Sequence, residues 1–482
     1  MRKNLLALSI AAMVGGLSGA ANAAVINDAL TTATRLAINP AGVGHILAVP
    51  YFSTQGNNKT LLSITNTDTT NGKAVKLRFR GAANSDDIFD ITVYLSPGDV
   101  WTADVAADGD ISRLVTNDTS CTLPSAQDIK DLGGKFKTNR VQGNAAAQTR
   151  EGYVEILNTA NIPVNTTAGS LYTAIKHVGG KAPCTAAVMD AQATDLAANG
   201  SDAAARGYAN PTGGLMANWI LVNVDGMASH SGEAVAVRAV DAVRANAAGN
   251  IVWFPQTTDA PTAGPVNTLT ADPLLQSAGF ASEVANYDFP DLSTPYTAAA
   301  GVGAPETQAR NLATQLQVTS VVNEYATSNG FSTDWVFSMP TRRYAVALNY
   351  AAPAATRLLF NTANATHFAA ANTSLNADGT LACVTPGTMR GFDREEGTQS
   401  TFVISPDSAM KLCGETSVLA FNNTGASVLG GLLARNDIKT RGADGWLSIN
   451  TANGVPGLPI IGFSALKANG ANLGGTWKHR AN

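Results

Sequence analysis

The chain is 482 residues long; only 14% of them are charged, and 36 acidic against 32 basic side chains leave a net charge of −4. With so few cations and no cluster of them, it is poorly built to grip nucleic acid through phosphates or anionic lipid through headgroups, and both partners are set aside. The length allows two or three domains with sizeable cores.

Met1-Arg2-Lys3-Asn4 is a basic cap, residues 5–17 are an apolar run too short to span a bilayer, and Ala21-Asn22-Ala23 offers an A-x-A cleavage site. Residues 1–23 therefore read as a signal peptide, and the mature chain from Ala24 is expected at the cell surface, outside the cell or in the periplasm. No cysteine follows the cleavage site to carry a lipid. The most apolar late stretch, "VPGLPIIGFSAL", is interrupted by Pro456 and Pro459 and reads as a bent strand, so no transmembrane segment is expected in the mature chain.

Residues 45–105 read as successive strands. "HILAVPYF", "KTLLSITNT", "KAVKLRFRG" and "FDITVYLS" alternate or run apolar over four to eight residues, with turn clusters between them. In "KLRFR", Leu77 and Phe79 share one face while Lys76, Arg78 and Arg80 share the other, which predicts a half-buried strand with a wet outer face. Ser96-Pro97-Gly98-Asp99 predicts a type II turn, since proline presets the second position and glycine supplies positive φ at the third. This strand-and-corner pattern resembles bacterial immunoglobulin-like sandwich domains. The resemblance implies a mainly β fold of two immunoglobulin-like antiparallel β-sandwich domains, with a few short helices and long loops.

The first domain is expected over 24–254, with residues 106–217 as an insertion of loops, short helices and the strand "EGYVEILNTANI". "MANWILVNVDG" and "GEAVAVRAVDAV" complete its sheets. Residues 255–304, rich in Pro, Thr and Ala, read as a connector. The second domain spans 305–482 and opens on "PETQARNLATQLQVTSVVNEYA", read as one amphipathic helix with Leu312 and Leu316 on one face. "TFVISPDSAM" and "LAFNNT" there echo "TVYLSPGDVW" and "LSITNT", hinting at a duplication.

Four cysteines, Cys121, Cys184, Cys383 and Cys413, have neither CxxC spacing nor nearby histidines, so zinc and dithiol redox readings are weak. Export favours disulfides. Of three connectivities, Cys121–Cys184 with Cys383–Cys413 keeps each bridge within one half.

"VVNEYATSNGFSTDWVFSMPTRRYAVAL", "GWLSI" and "GLPIIGFSALKA", with the tail bearing His479-Arg480, resemble a group of secreted proteobacterial proteins described as cell-surface or surface-layer-like. The resemblance implies a place and an architecture; it carries over no catalytic residue.

Motifs for chemistry are few. Ser408-Ala-Met-Lys411 has the S-x-x-K form of penicillin-binding enzymes but sits in a strand-and-turn context without partner motifs. No G-x-S-x-G surrounds Ser464, and His45, His177, His230, His367 and His479 are scattered. Asp104, Asp108 and Asp110 around Gly109 are the one candidate metal site, for calcium, which favours oxygen ligands in a tight turn; no other cofactor is implied. The expected function is an exported structural protein, not an enzyme, that self-associates at the cell surface. The alternative is a module binding a cell-surface polysaccharide or other envelope ligand through Trp101, Trp219, Trp253 or Trp335; a periplasmic hydrolase is the third reading.

Overall fold

The structure is a computed structural model. It describes residues 24–481 except 139–140, 194–199, 224, 254–255, 257–289, 298–304, 351, 362–364, 407–408, 423–426 and 469–472. The expected signal peptide and most of the expected connector lie outside the described residues. The chain is mainly β, in several antiparallel sheets.

The first half contributes fourteen strands: β1 (Ala24–Ile26), β2 (Arg35–Ile38), β3 (Ile46–Ser53), β4 (Asn58–Asn66), β5 (Gly72–Gly81), β6 (Asp87–Leu95), β7 (Val100–Asp108), β8 (Ile111–Val115), β9 (Cys121–Leu123), β10 (Glu151–Ile162), β11 (Leu215–Asn223), β12 (Ala228–Glu233), β13 (Val235–Val240) and β14 (Ile251–Trp253). They form a seven-stranded sheet, β2-β13-β3-β10-β5-β6-β9, and a five-stranded sheet, β12-β11-β4-β7-β8, while β1 pairs with β14. Alternation decides which side chains turn inward. Val75, Leu77 and Phe79 of β5 meet Leu62 and Ile64 of β4 and Trp101 of β7 in one core between the two sheets.

The strand "EGYVEILNTANI", read from sequence as part of an insertion, is β10 at the centre of the larger sheet, between β3 and β5. Its Gly152 sits at a register shift where a Cβ would stand 1.7 Å from the Arg80 carbonyl oxygen, so only a hydrogen fits. The Ser-Pro-Gly-Asp corner between β6 and β7 has Gly98 at φ +72° and a 3.2 Å bond from the Asp99 N–H to the Ser96 carbonyl. The Asn66 side chain donates to the same carbonyl at 3.0 Å, tying the corner to the end of β4.

The second half builds a five-stranded sheet from Thr398–Gln399, Met389–Asp393, Asp444–Asn450, Ser320–Ala326 and Arg480–Ala481, in that order. A six-stranded sheet orders Val403–Ser405, Arg435–Lys439, Thr416–Phe421, Phe331–Ser338, Ile461–Ala468 and Leu473–Lys478. Trp335, Phe337, Leu419 and Phe421 of the larger sheet pack with Val321, Tyr325, Leu447 and Ile449 of the smaller. The helix that opens this half runs only over Pro305–Leu316, with Leu312 and Leu316 buried. The expected continuation to Ala326 is instead strand. "SVVNEYA" buries alternate residues and carries two adjacent valines, whose branched side chains fit a pleated surface better than a helix.

The two halves share a core. Val336, Val418, Phe463 and Ala465, on the other face of the six-stranded sheet, belong to the same buried cluster as Leu62, Trp101 and Trp219. The Trp219 and Phe463 rings lie 4.6 Å apart. The two sequence echoes fall on unlike positions: β6 lies inside its sheet, whereas Val403–Ser405 is an edge strand, and Thr416–Phe421 has a parallel neighbour that β4 lacks. Among the described residues no helix is long and apolar enough to cross a membrane.

Candidate functional site

The most concentrated chemistry lies where the sequence predicted water. Lys76, Arg78 and Arg80 are 1%, 2% and 0% exposed, so the expected wet face of β5 is a buried ionic layer. Register explains how it is neutralised. Arg78 stands opposite Asp90 on β6 and Glu155 on β10, and Arg80 opposite Asp87 and Tyr153. Long side chains then pair on the diagonal: Lys76 with Asp90, Arg78 with Asp87 at 3.1 Å, and Arg80 with Glu155 at 3.4 Å.

The cover comes from distant sequence. Residues 290–297 and the stretch after Phe331–Ser338 close over the layer. The Asp291 carboxylate accepts from Arg343 Nη1 at 2.8 Å and from the Tyr344 hydroxyl at 3.0 Å, and lies 3.8 Å from Arg80 Nη2. Arg342 pairs with Glu415 at 2.7 Å, and the Glu415 backbone N–H donates to the Ala82 carbonyl at 2.7 Å. The Tyr350 hydroxyl donates to Asp86 at 2.6 Å. Glu151, at the start of β10, accepts from Tyr51 at 3.0 Å and from the Leu432 N–H at 2.9 Å. The Glu415–Ala82, Tyr350–Asp86 and Leu432–Glu151 bonds join the two halves, and Asp291 bridges Arg80 of the first to Arg343 and Tyr344 of the second.

Burial dominates the protonation of Lys76, Glu151, Glu155 and Glu415, whereas the neighbouring Lys76 and Arg78 hold Asp90 below the usual carboxylate range despite its burial. It lowers the Lys76 ammonium to about 8 despite the Asp90 carboxylate beside it. It raises Glu155 against the pull of Arg80 and Arg343, raises Glu415 against Arg342, and raises Glu151 against the N–H and hydroxyl donors it accepts from. Desolvation thus outweighs attraction at all three, as expected for ion pairs kept from water. The layer is a cross-brace, with its charges turned on one another.

Other candidate residues are dispersed. Asp104 lies along β7, Asp108 at its end and Asp110 in the following turn; Asp108 pairs with Lys135 at 3.2 Å. Four residues of strand separate Asp104 from Asp108 by about 13 Å, so the structure does not bring these aspartates together. Among the described residues no three His, Cys, Asp or Glu side chains are grouped to hold a metal. The structure bonds Cys121 to Cys184 and Cys383 to Cys413, the latter two directly opposite in a strand pair.

His45, His230, His367 and His479 bond backbone carbonyls, whereas His177 lies 3.3 Å from the Ser96 and Thr119 hydroxyls. His45 Nε2 bonds the Ala247 carbonyl at 2.9 Å while Nδ1 accepts the Ala239 N–H at 3.0 Å, and burial lowers the ring to about 3. His479 bonds the Val336 carbonyl at 2.8 Å, stacks on Phe337, and is lowered by burial to about 4. Ser464 is buried with its hydroxyl 3.4 Å from the Glu324 carbonyl, and Ser408 lies outside the described residues.

The tryptophans named for glycan binding are core residues: Trp101 and Trp335 are 0% exposed, Trp219 2% and Trp253 4%. Their apolar area closes the sheets, so they are unavailable to a ligand. The exposed indoles are Trp446 and Trp477. Two cavities, one beside Ala309, Thr341 and His367 and one beside Thr92, Tyr208 and Trp253, each have room for roughly one water molecule. Comparisons of the chain with models of known families, with characterised proteins and with solved structures each give no match.

Proposed function

We propose that this is an exported structural protein of a bacterial envelope, not an enzyme, built of immunoglobulin-like sandwich layers and associating with copies of itself at the cell surface. One observation carries the reading: the outer face of the five-stranded sheet β12-β11-β4-β7-β8. There Leu61 and Ile220 stand directly opposite each other, 39% and 40% exposed, with Val100 on the neighbouring strand at 45%. Beside them Asn218, Ser63 and Thr102 form an uncharged stretch over three strands, ended by Glu233 on β12 and by the Asp118 carboxylate at Thr102. Asp104 is the charge nearest the centre of this face.

Size bears on strength. Five strands by about seven residues cover about 24 Å by about 23 Å, so pairing two faces buries about 1,100 Å², just above the threshold for a specific interface. Such an area suits reversible contacts repeated over many copies. Two disulfides and the leader grammar of residues 1–23 support an oxidising, exported setting.

Sedimentation velocity on the chain from Ala24, over a wide concentration range, tests the proposal. Wild type is expected to form concentration-dependent oligomers, and Leu61→Glu with Ile220→Glu to shift them to monomer without changing the circular dichroism. A wild-type chain that stays monomeric at high concentration, with and without calcium, overturns it.

A further inference from the structure

The five-stranded sheet of the second half has a solvent face with an unusual content. Register places Phe392, Trp446 and Glu324 in one row across three strands, and Arg390, Ser448, Val322 and Arg480 in the next row across four. The Phe392 and Trp446 rings stack, with centroids 4.2 Å apart and planes 12° apart. That contact fixes the indole, yet Trp446 remains 39% exposed. Arg390 and Arg480 are both exposed. Among the described residues neither guanidinium has an ion-pair or hydrogen-bond partner, and the Glu324 carboxylate has none either.

Many of the chain's arginines are engaged: Arg78, Arg80, Arg342 and Arg343 are buried against carboxylates, and Arg394 and Arg441 pair at the surface with Asp444 and Asp393. Arg35 on β2 and Arg113 on β8 are exposed as well, but each on another sheet. Two unpaired guanidiniums on one flat face beside a fixed indole are groups without an internal task. A guanidinium offers a planar fork that matches a carboxylate. An indole offers an apolar face to the C–H side of a sugar ring and a polar edge to its hydroxyls. Arg390 and Arg480 are three strand spacings apart, about 14 Å, which suits a linear polymer lying along the row better than a small ligand in a pocket.

We infer that this face binds an acidic polysaccharide, with Trp446 stacked on a sugar ring and Arg390 and Arg480 paired with carboxylates along the chain. Glu324, beside the indole, accepts hydroxyls and favours an uncharged position of the sugar there. The site does not depend on self-association, because it lies on a different sheet from Leu61 and Ile220.

Isothermal titration calorimetry on the chain from Ala24, with polygalacturonate as probe and neutral dextran and a single-stranded oligothymidylate as comparisons, tests it. Polygalacturonate is expected to bind, and to bind more weakly as salt is raised. Trp446→Ala and the pair Arg390→Gln with Arg480→Gln are each expected to weaken binding at least about tenfold, the loss of one good contact. Trp477→Phe, at the exposed indole of the other sheet, is expected to leave it unchanged. If Trp446→Ala fails to fold, the arginine pair, which holds no internal contact, decides the matter. No binding of polygalacturonate, equal binding by the arginine variant, or equally tight binding of dextran or oligothymidylate overturns the inference.

Discussion

Asp291→Ala tests the cross-brace at its narrowest point. The carboxylate is 1% exposed, and one oxygen faces Arg343, Tyr344 and Arg80 while the other accepts the Ser293 N–H at 2.9 Å and hydroxyl at 2.7 Å. Alanine leaves Arg343 and Arg80, 1% and 0% exposed, with an excess of buried positive charge. Removing one partner of a buried pair costs about 3–5 kcal/mol, because the remaining ion stays out of water unpaired. Glu155 moderates the loss. Asp291 repels it in the native protein, so without that repulsion Glu155 ionises more readily and takes over part of the compensation for Arg80. We therefore expect about 3 kcal/mol, the lower end. Asp291→Asn keeps an oxygen for Arg343 and Tyr344 and should lose less. Lys135→Ala breaks the Lys135–Asp108 pair, half-exposed on the lysine side, and should cost roughly 0–1 kcal/mol. Urea unfolding with disulfides intact, followed by tryptophan fluorescence, gives all three numbers, since Trp219 and Trp335 report on the joined cores. An Asp291→Ala loss no larger than that of Lys135→Ala refutes the reasoning: the layer would then be wet, or its charges indifferent to one another.

Two further outcomes follow from the cysteines and the histidines. The bridges span sequence separations of 63 and 30 residues, so loop entropy assigns each about 4 kcal/mol; replacing either pair by serine should lower the urea midpoint accordingly, and an unchanged midpoint for both refutes the assignment. Imidazole titration by NMR should find His45 and His479 neutral at pH 5, where an ordinary histidine is protonated, because burial lowers them to about 3 and about 4. Both bind protons more readily when unfolded. Their stabilisation is therefore complete above about pH 6.5 and is lost as pH falls toward the folded values, at about 1.4 kcal/mol per unit each. Asp334, raised by burial to about 6, has the opposite sign: its contribution is present below about pH 4 and lost as pH rises through 6. Asp334→Asn should thus make the acid loss steeper, and an unchanged slope counts against the burial of that carboxyl.

Much of the first half was legible because its information is local. Alternation in "KLRFR" fixed which residues share a face, and Ser-Pro-Gly-Asp fixed a turn whose glycine stands at positive φ. What alternation cannot carry is whether the second face meets water or protein. The layer over Lys76, Arg78 and Arg80 comes from Asp291, Arg342, Arg343 and Glu415, more than two hundred residues away. A partial signal did exist: Asp90 on one neighbouring strand and Glu155 on the other both stand opposite Arg78, while Asp87, of the other parity, reaches the same face opposite Arg80 only through a register shift beside Phe79. Similarly, helix propensity extended "PETQARNLATQL" through Ala326, where pairing of "SVVNEYA" with Asp444–Asn450 decided for strand.

The buried layer also changes what the composition means. The charged fraction is low against that of average soluble proteins, and among the described residues twelve charged side chains are taken inside: Lys73, Lys76, Arg78, Arg80, Asp86, Glu151, Glu155, Asp291, Asp334, Arg342, Arg343 and Glu415. The surface therefore carries fewer charges than it would if all of them faced water. Since net charge and interspersed surface ions are what keep proteins apart in solution, their withdrawal into the interior favours contact between copies. The same withdrawal makes the few unpaired surface cations informative. Arg390 and Arg480 stand out because their guanidiniums flank a fixed indole on one flat face, whereas Arg78, Arg80, Arg342 and Arg343 are spent on the brace between the halves.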